Sequence, residues 1–137
     1  MLLEDQRAVV IEELAKAKTG FGLGDVAGRE AHRRSPVCGD EVRVRVLIDG
    51  NSIVRVTWEG HGCLVSTAAT VALAETAAGM ALTDFPGFAA RYLATLEADA
   101  EADADLGDLE AFAGIGRYPL RAGCASLAWR AALEALA

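Results

Sequence analysis

The sequence predicts an α+β fold, a small antiparallel sheet of two or three strands covered on one face by helices. Two observations carry this reading. Between residues 42 and 58, apolar and polar residues alternate on either side of a DGN turn at 49–51, the period of a β-hairpin with one apolar face. Around that hairpin lie apolar stretches at helical spacing, at 3–18, 64–82 and 124–137. No linker and no internal repeat divides the chain, so residues 1–137 are expected to form a single domain.

In chain order, residues 3–18 place Leu3, Val10, Ile11, Leu14 and Ala15 on one side of a helix and leave Glu12, Glu13, Lys16 and Lys18 for water. TGFGLGDVAG follows, where Gly20, Gly22, Gly24 and Gly28 predict a loop ending in a small basic cluster, Arg29, His32, Arg33 and Arg34. In the hairpin, Val42, Val44, Val46 and Ile48 form one apolar set and Val54, Val56 and Trp58 the other, with Arg43, Arg45 and Arg55 on the wet side. A helix is predicted from Leu64 to about Gly79; Ser66, Thr67, Thr70, Glu75 and Thr76 make it a buried helix rather than a membrane span. Another runs from Phe85 to Leu96, with Pro86 in its first turn. The alanine-spaced carboxylates of EADAEADADLGDLE, 97–110, read as too charged to pack and predict a solvated helix extension or mobile spacer. GIGRYPL then marks a turn, and residues 124–137 form a last helix with Leu127, Ala128 and Ala131 inward.

The balance of 13 Lys+Arg against 20 Asp+Glu, a net charge of -7, argues against broad nucleic-acid binding and against adhesion to an anionic membrane. Glu4 and Asp5 interrupt any apolar run at the N-terminus, so no secretory leader is expected. Three cysteines, an odd number in a cysteine-poor chain, disfavour a disulfide framework and make a reducing cytoplasm the expected setting.

All three cysteines fall at predicted element ends: Cys38 before the first hairpin strand, Cys63 in the EGHGC turn, Cys124 at the start of the last helix. Two of these are helix N-termini, where the positive dipole end favours thiolate. Gly39, Gly60, Gly62 and Gly123 flank them, as loops that bend tightly toward one point require. Asp40 offers a carboxylate from the same loop as Cys38. Three thiolates and a carboxylate make a tetrahedral zinc shell. The residues alone leave the plainer alternative open: buried cysteines acting as small hydrophobes, and an aspartate bonded to its own turn. His32 and His61 are ligands by type, and solvated loop histidines otherwise.

SPVCGDEVRVRV, VTWEGHGCLVSTAAT and YPLRAGCASLAW, in that order and spacing, resemble the SufU family, relatives of the IscU iron–sulfur cluster scaffolds, over about residues 35–137. The long interval between Cys63 and Cys124, Gly123 where IscU proteins carry a histidine ligand, and Arg121 at an arginine position of SufU point to the SufU branch. The resemblance implies an IscU/SufU-like fold and zinc bound by Cys38, Asp40, Cys63 and Cys124. It also implies sulfur transfer from a SufS-type, pyridoxal-phosphate-dependent cysteine desulfurase toward a downstream iron–sulfur scaffold complex. In that family a histidine of the desulfurase takes a place on zinc and frees the first cysteine, here Cys38, to attack the persulfide. Arg121 is assigned with Cys38 to the chemistry, offsetting the negative charge of the ligand shell. Residues 1–34 match poorly, Ser35 stands where asparagine is usual, and the basic stretch 29–34 is where altered partner recognition is expected. Two other readings stand beside this one: a scaffold carrying an iron–sulfur cluster on the three cysteines, and a zinc-binding interaction module without transfer activity.

Overall fold

The computed structural model describes residues 4–36 and 39–137. Its elements are α1 (Glu4–Ala17), β1 (Arg29–Arg34), β2 (Glu41–Asp49), β3 (Ser52–His61), α2 (Leu64–Ala77), α3 (Phe85–Thr95) and α4 (Pro119–Leu136), with 3-10 turns at Ala104–Phe112 and Ile115–Arg117. The strands form one antiparallel sheet in the order β1-β2-β3. Among the described residues no helix is long and apolar enough to cross a membrane.

Val42, Val44 and Val46 of β2 and Val56 and Trp58 of β3 alternate inward and are buried against the helices. At the hairpin end the alternation departs from the sequence expectation. Leu47 pairs with Arg55 and Ile48 with Ile53, so Val54 is an extra residue on β3, a β-bulge. The extra residue reverses the phase. Ile53 is 1% exposed, whereas Val54, expected inward, is 51% exposed.

The third strand lies where the sequence predicted only a basic cluster. REAHRR has a single apolar residue, Ala31, and no hydrophobic alternation. Its register is carried by charge pairs on the outer face. Glu30 opposes Arg45 and accepts hydrogen bonds from Arg43 Nη1 and Arg45 Nε, each at 2.9 Å. Those hydrogen bonds, from Arg43 first and Arg45 second, hold the Glu30 carboxyl below its usual range. Arg34 pairs with Glu41, Arg33 with Glu134 at 3.3 Å, and Arg29 donates to the carbonyl of Ala137 at 3.0 Å. The basic stretch is therefore engaged within the chain, to β2 and to the end of α4.

α2 lies at the centre, buried along most of its length through small side chains including Ala68, Ala69, Ala72 and Ala77. Such residues let α1 and α4 pack closely on either side of it. α4 also covers the inner face of β1 and β2. α3 is joined to α4 by aromatic contacts: the Tyr92 and Trp129 ring centroids lie 4.4 Å apart, and Phe85 and Phe88 flank Trp129. Every buried polar atom of this cluster is satisfied. Trp129 Nε1 donates to the Ala69 carbonyl at 3.1 Å and Tyr92 Oη to the Ala125 carbonyl at 2.8 Å. Burial pushes the Tyr92 phenol well above its ordinary value, so it stays a neutral donor.

Two further expectations are corrected. The acidic stretch is not a spacer throughout: Leu106, Leu109 and Phe112, spaced by three, point into the core from the 3-10 turns while Asp105 and Asp108 face water. The last helix starts at Pro119, not at residue 124, because proline is suited to the first helical position.

The bulge makes a testable distinction. Ile53→Ala is expected to cost about 2–5 kcal/mol, while Val54→Ala should stay within about 0.5 kcal/mol. Urea midpoints measure both, and equal costs would restore the unbroken alternation.

Candidate metal centre

The antiparallel register of β2 and β3 sets Glu41 against His61. The residues just beyond that pair, Asp40 and Gly62-Cys63, are thereby neighbours although they are far apart in sequence. Asp40 is 4% exposed, and its Oδ1 accepts from the backbone N–H of Cys63 at 3.2 Å. The carbonyl of Asp40 accepts from Ser35 N at 2.7 Å, and Ser35 in turn accepts from Gly39 N at 3.1 Å, closing the loop from 35 to 40. Gly39 holds φ +75, which glycine adopts without strain.

Cys63 is the N-cap of α2, and its Sγ accepts from Ser66 N at 3.4 Å. Its position confirms a thiol at a helix N-terminus. Gly62 is needed for the approach of the two loops. A Cβ there would lie 3.0 Å from Asp40 Cγ and 3.0 Å from Ser66 Oγ.

Cys124 arrives differently from the sequence expectation. With α4 beginning at Pro119, it sits in the second turn, 4% exposed and inside the hydrophobic core, rather than at a helix start. The Tyr92 hydrogen bond to the next residue's carbonyl fixes that turn.

The outcome is a cluster of one carboxylate and two sulfurs, Asp40, Cys63 and Cys124, whose ligand atoms all lie within 4.8 Å of one another. Zinc–sulfur bonds of about 2.3 Å at tetrahedral angles separate neighbouring donors by about 3.8 Å. The donor set and its spacing therefore fit a tetrahedral ion after small side-chain adjustments. Asp40 and Cys124 are buried and Cys63 is exposed, so the cluster has a closed side and an open one.

Of the other residues singled out from sequence, Cys38 lies outside the described residues. Arg121 stands on α4 one helical turn before Cys124, exposed, with its guanidinium 5.3 Å from the Tyr118 ring centroid. His32 and His61 are not brought to the cluster: both stand on the outer sheet face, His32 Nε2 being 3.5 Å from Glu41 Oε1. Sequence reasoning missed the supporting roles of Ser66 and Tyr92, and read Gly62 only as a tight-bend glycine.

These features define a small α+β domain that presents a cysteine–carboxylate cluster at one end of its sheet. The chain belongs to the NifU-like N terminal domain family, which it matches over residues 9–125. It is 30% identical over 98 residues to the zinc-dependent sulfurtransferase SufU of Bacillus subtilis, a match covering 71% of this chain and 67% of that one. It is 30% identical over 115 residues to the iron–sulfur cluster assembly scaffold protein IscU of Streptococcus pyogenes, covering 82% and 72% respectively. The crystal structure of SufU from Fervidobacterium islandicum superimposes with a TM-score of 0.82 at 29% identity, over 93% of this chain and 94% of that one. The family match takes in β1 and much of α1, so the likeness extends into the N-terminal segment expected from sequence to match poorly.

Gly62→Ala should lower the affinity for zinc by about 10- to 100-fold, the usual consequence of displacing a ligand's support. Competition against a chromophoric chelator measures this. Unchanged affinity would show that the close packing at Gly62 does not position Asp40.

Proposed function

We propose that this protein is a zinc-dependent sulfurtransferase of iron–sulfur cluster biogenesis, with zinc held by Cys38, Asp40, Cys63 and Cys124. The observation that carries the reading is the convergence of Asp40, Cys63 and Cys124 from three separate segments. The sulfur donor is a SufS-type cysteine desulfurase, and the sulfur passes on to a downstream scaffold complex in the cytoplasm. Zinc bound here keeps its cysteine ligands deprotonated at neutral pH and has no redox chemistry of its own.

The chemistry belongs to Cys38. Its thiolate attacks the terminal sulfur of the donor's persulfide, a new S–S bond forms at Cys38, and the donor cysteine leaves as thiolate. One sulfur moves and no external oxidant or reductant is needed. Arg121, one turn before Cys124, contributes positive charge on the side where the persulfide anion approaches. The Asp40 carboxylate, anchored by the Cys63 N–H, is the oxygen donor of the set.

A second reading, the assembly scaffold, draws on the IscU relative and on the same cysteines. Metal content separates them. The sulfurtransferase should purify colourless with one zinc per chain, whereas a scaffold would carry iron and labile sulfide and absorb in the visible. Stimulation of a cysteine desulfurase should be lost in Cys38→Ala; stimulation that survives the substitution would sink the transfer role and leave a zinc-binding module.

Stripping the metal provides an independent check. Free zinc at a hundredfold excess over Kd adds about 2.7 kcal/mol to the folded form. A chelator should therefore lower the melting temperature, and an unchanged transition would count against a resident ion.

A further inference from the structure

We propose that the groove bounded by α1, the segment 100–115 and the start of α4 receives an acidic segment of a partner protein, an extended stretch carrying Asp or Glu side chains. The groove encloses about 840 Å³ and is lined by three arginines, Arg7, Arg117 and Arg121, beside Tyr118. Five arginines outside the groove, Arg33, Arg34, Arg43, Arg45 and Arg91, each pair with Asp or Glu. Among the described residues Arg29, Arg55 and Arg130 do not, and neither do the three in the groove.

They are nonetheless held in place. Arg7 Nη1 donates to the Ala113 carbonyl at 3.1 Å, and its buried Nε–H meets no acceptor among the described residues. Arg117 Nε donates to the Gly114 carbonyl at 3.2 Å, and Arg121 lies over the Tyr118 ring at 5.3 Å. Neutral partners thus orient three guanidiniums without cancelling their charge, as recognition of carboxylates requires. Two carboxylates also line the groove, Glu101 at its open side and Glu110, which is buried and already engaged.

In a chain of net charge -7, an acidic ligand is repelled by most of the surface, and the groove is where that repulsion locally reverses. The same net charge opposes a long polyanion or an anionic bilayer, which would meet the whole surface, and leaves a short acidic segment as the fitting occupant. Tyr118, 51% exposed, supplies an apolar surface for the residues between its carboxylates. Arg121, at one edge of the groove, stands one helical turn before Cys124 along α4. Only the partner's identity as a sulfur donor rests on the function proposed above; the charge argument does not.

The test uses the full chain and a fluorescein-labelled peptide of alternating Glu and Leu, with a Gln-for-Glu peptide as control, read by fluorescence anisotropy. Expected are binding that weakens with added salt, and a loss of about tenfold or more both for the Gln peptide and in Arg117→Glu at unchanged melting temperature. If Arg117→Glu lowers the melting temperature, Arg117→Gln takes its place with the same expectation. Any of three results would overturn the proposal: no binding to the wild-type chain, equal binding by wild type and variant, or displacement by inorganic phosphate as effective as by unlabelled peptide. Capture of phosphatidylserine vesicles by the wild type and not by the variant would assign the arginines to a lipid surface and overturn it likewise. Zinc content, measured on the same samples, should be equal in wild type and variant, so a chain lacking zinc could still bind the peptide and a zinc-loaded chain could still fail to.

Discussion

The hydrogen bond from the Cys63 N–H to the Asp40 carboxylate joins the two ends of the hairpin's open side, and the rest of the site is arranged around it. A carboxylate only 4% exposed is costly to ionise unless donors or positive charge surround it. The N-terminus of α2 supplies both, since Cys63 is its cap and its first N–H groups point outward from the helix. One backbone feature thereby holds the Asp40 carboxylate beside the Cys63 sulfur, and it exists only because the β2–β3 register puts residue 41 opposite 61.

Cys124 reaches this place by a separate route, through the packing of α4. Trp129 stacks among Phe85, Phe88 and Tyr92 and donates to Ala69 of α2, which fixes α4 on α2 as well as on α3. Tyr92 then bonds the carbonyl next to Cys124 from a fully buried position. Packing of the core and the α2 cap together hold the three described groups near one another. A preformed cluster of this kind asks little rearrangement of an incoming metal, and most of its binding free energy can go to stabilising the fold.

What could be read from sequence and what could not follows the physics of each segment. The hairpin, α2, α3 and the approach of Asp40, Cys63 and Cys124 were legible because period and motif are local. β1 was not: its stability comes from Glu30 meeting Arg43 and Arg45 across the strands, and a charged alternation looks like a solvated loop. Val54 was misplaced because one bulge residue inverts the side-chain phase. Leu106, Leu109 and Phe112 were hidden by the carboxylates between them, although a period of three was present. Cys124 was set at a helix end because Pro119 was read as part of a turn, when proline at a first helical position announces a start.

The unequal environments of the described ligands bear on which sulfur can move. Releasing Cys124 would leave a thiol in the core, 4% exposed, with no route to a partner. Cys63 is exposed, yet its sulfur caps α2 through Ser66 N, so its departure would uncap the central helix at a cost of about 1 kcal/mol. Asp40 carries no sulfur and is bound to the Cys63 backbone. Of the four ligands proposed above, these constraints leave Cys38 as the one whose release no described contact opposes. A site in which the core holds one sulfur and a helix cap holds another can release a third ligand without dismantling the fold, and that division of labour is the physical basis of the ligand exchange proposed above.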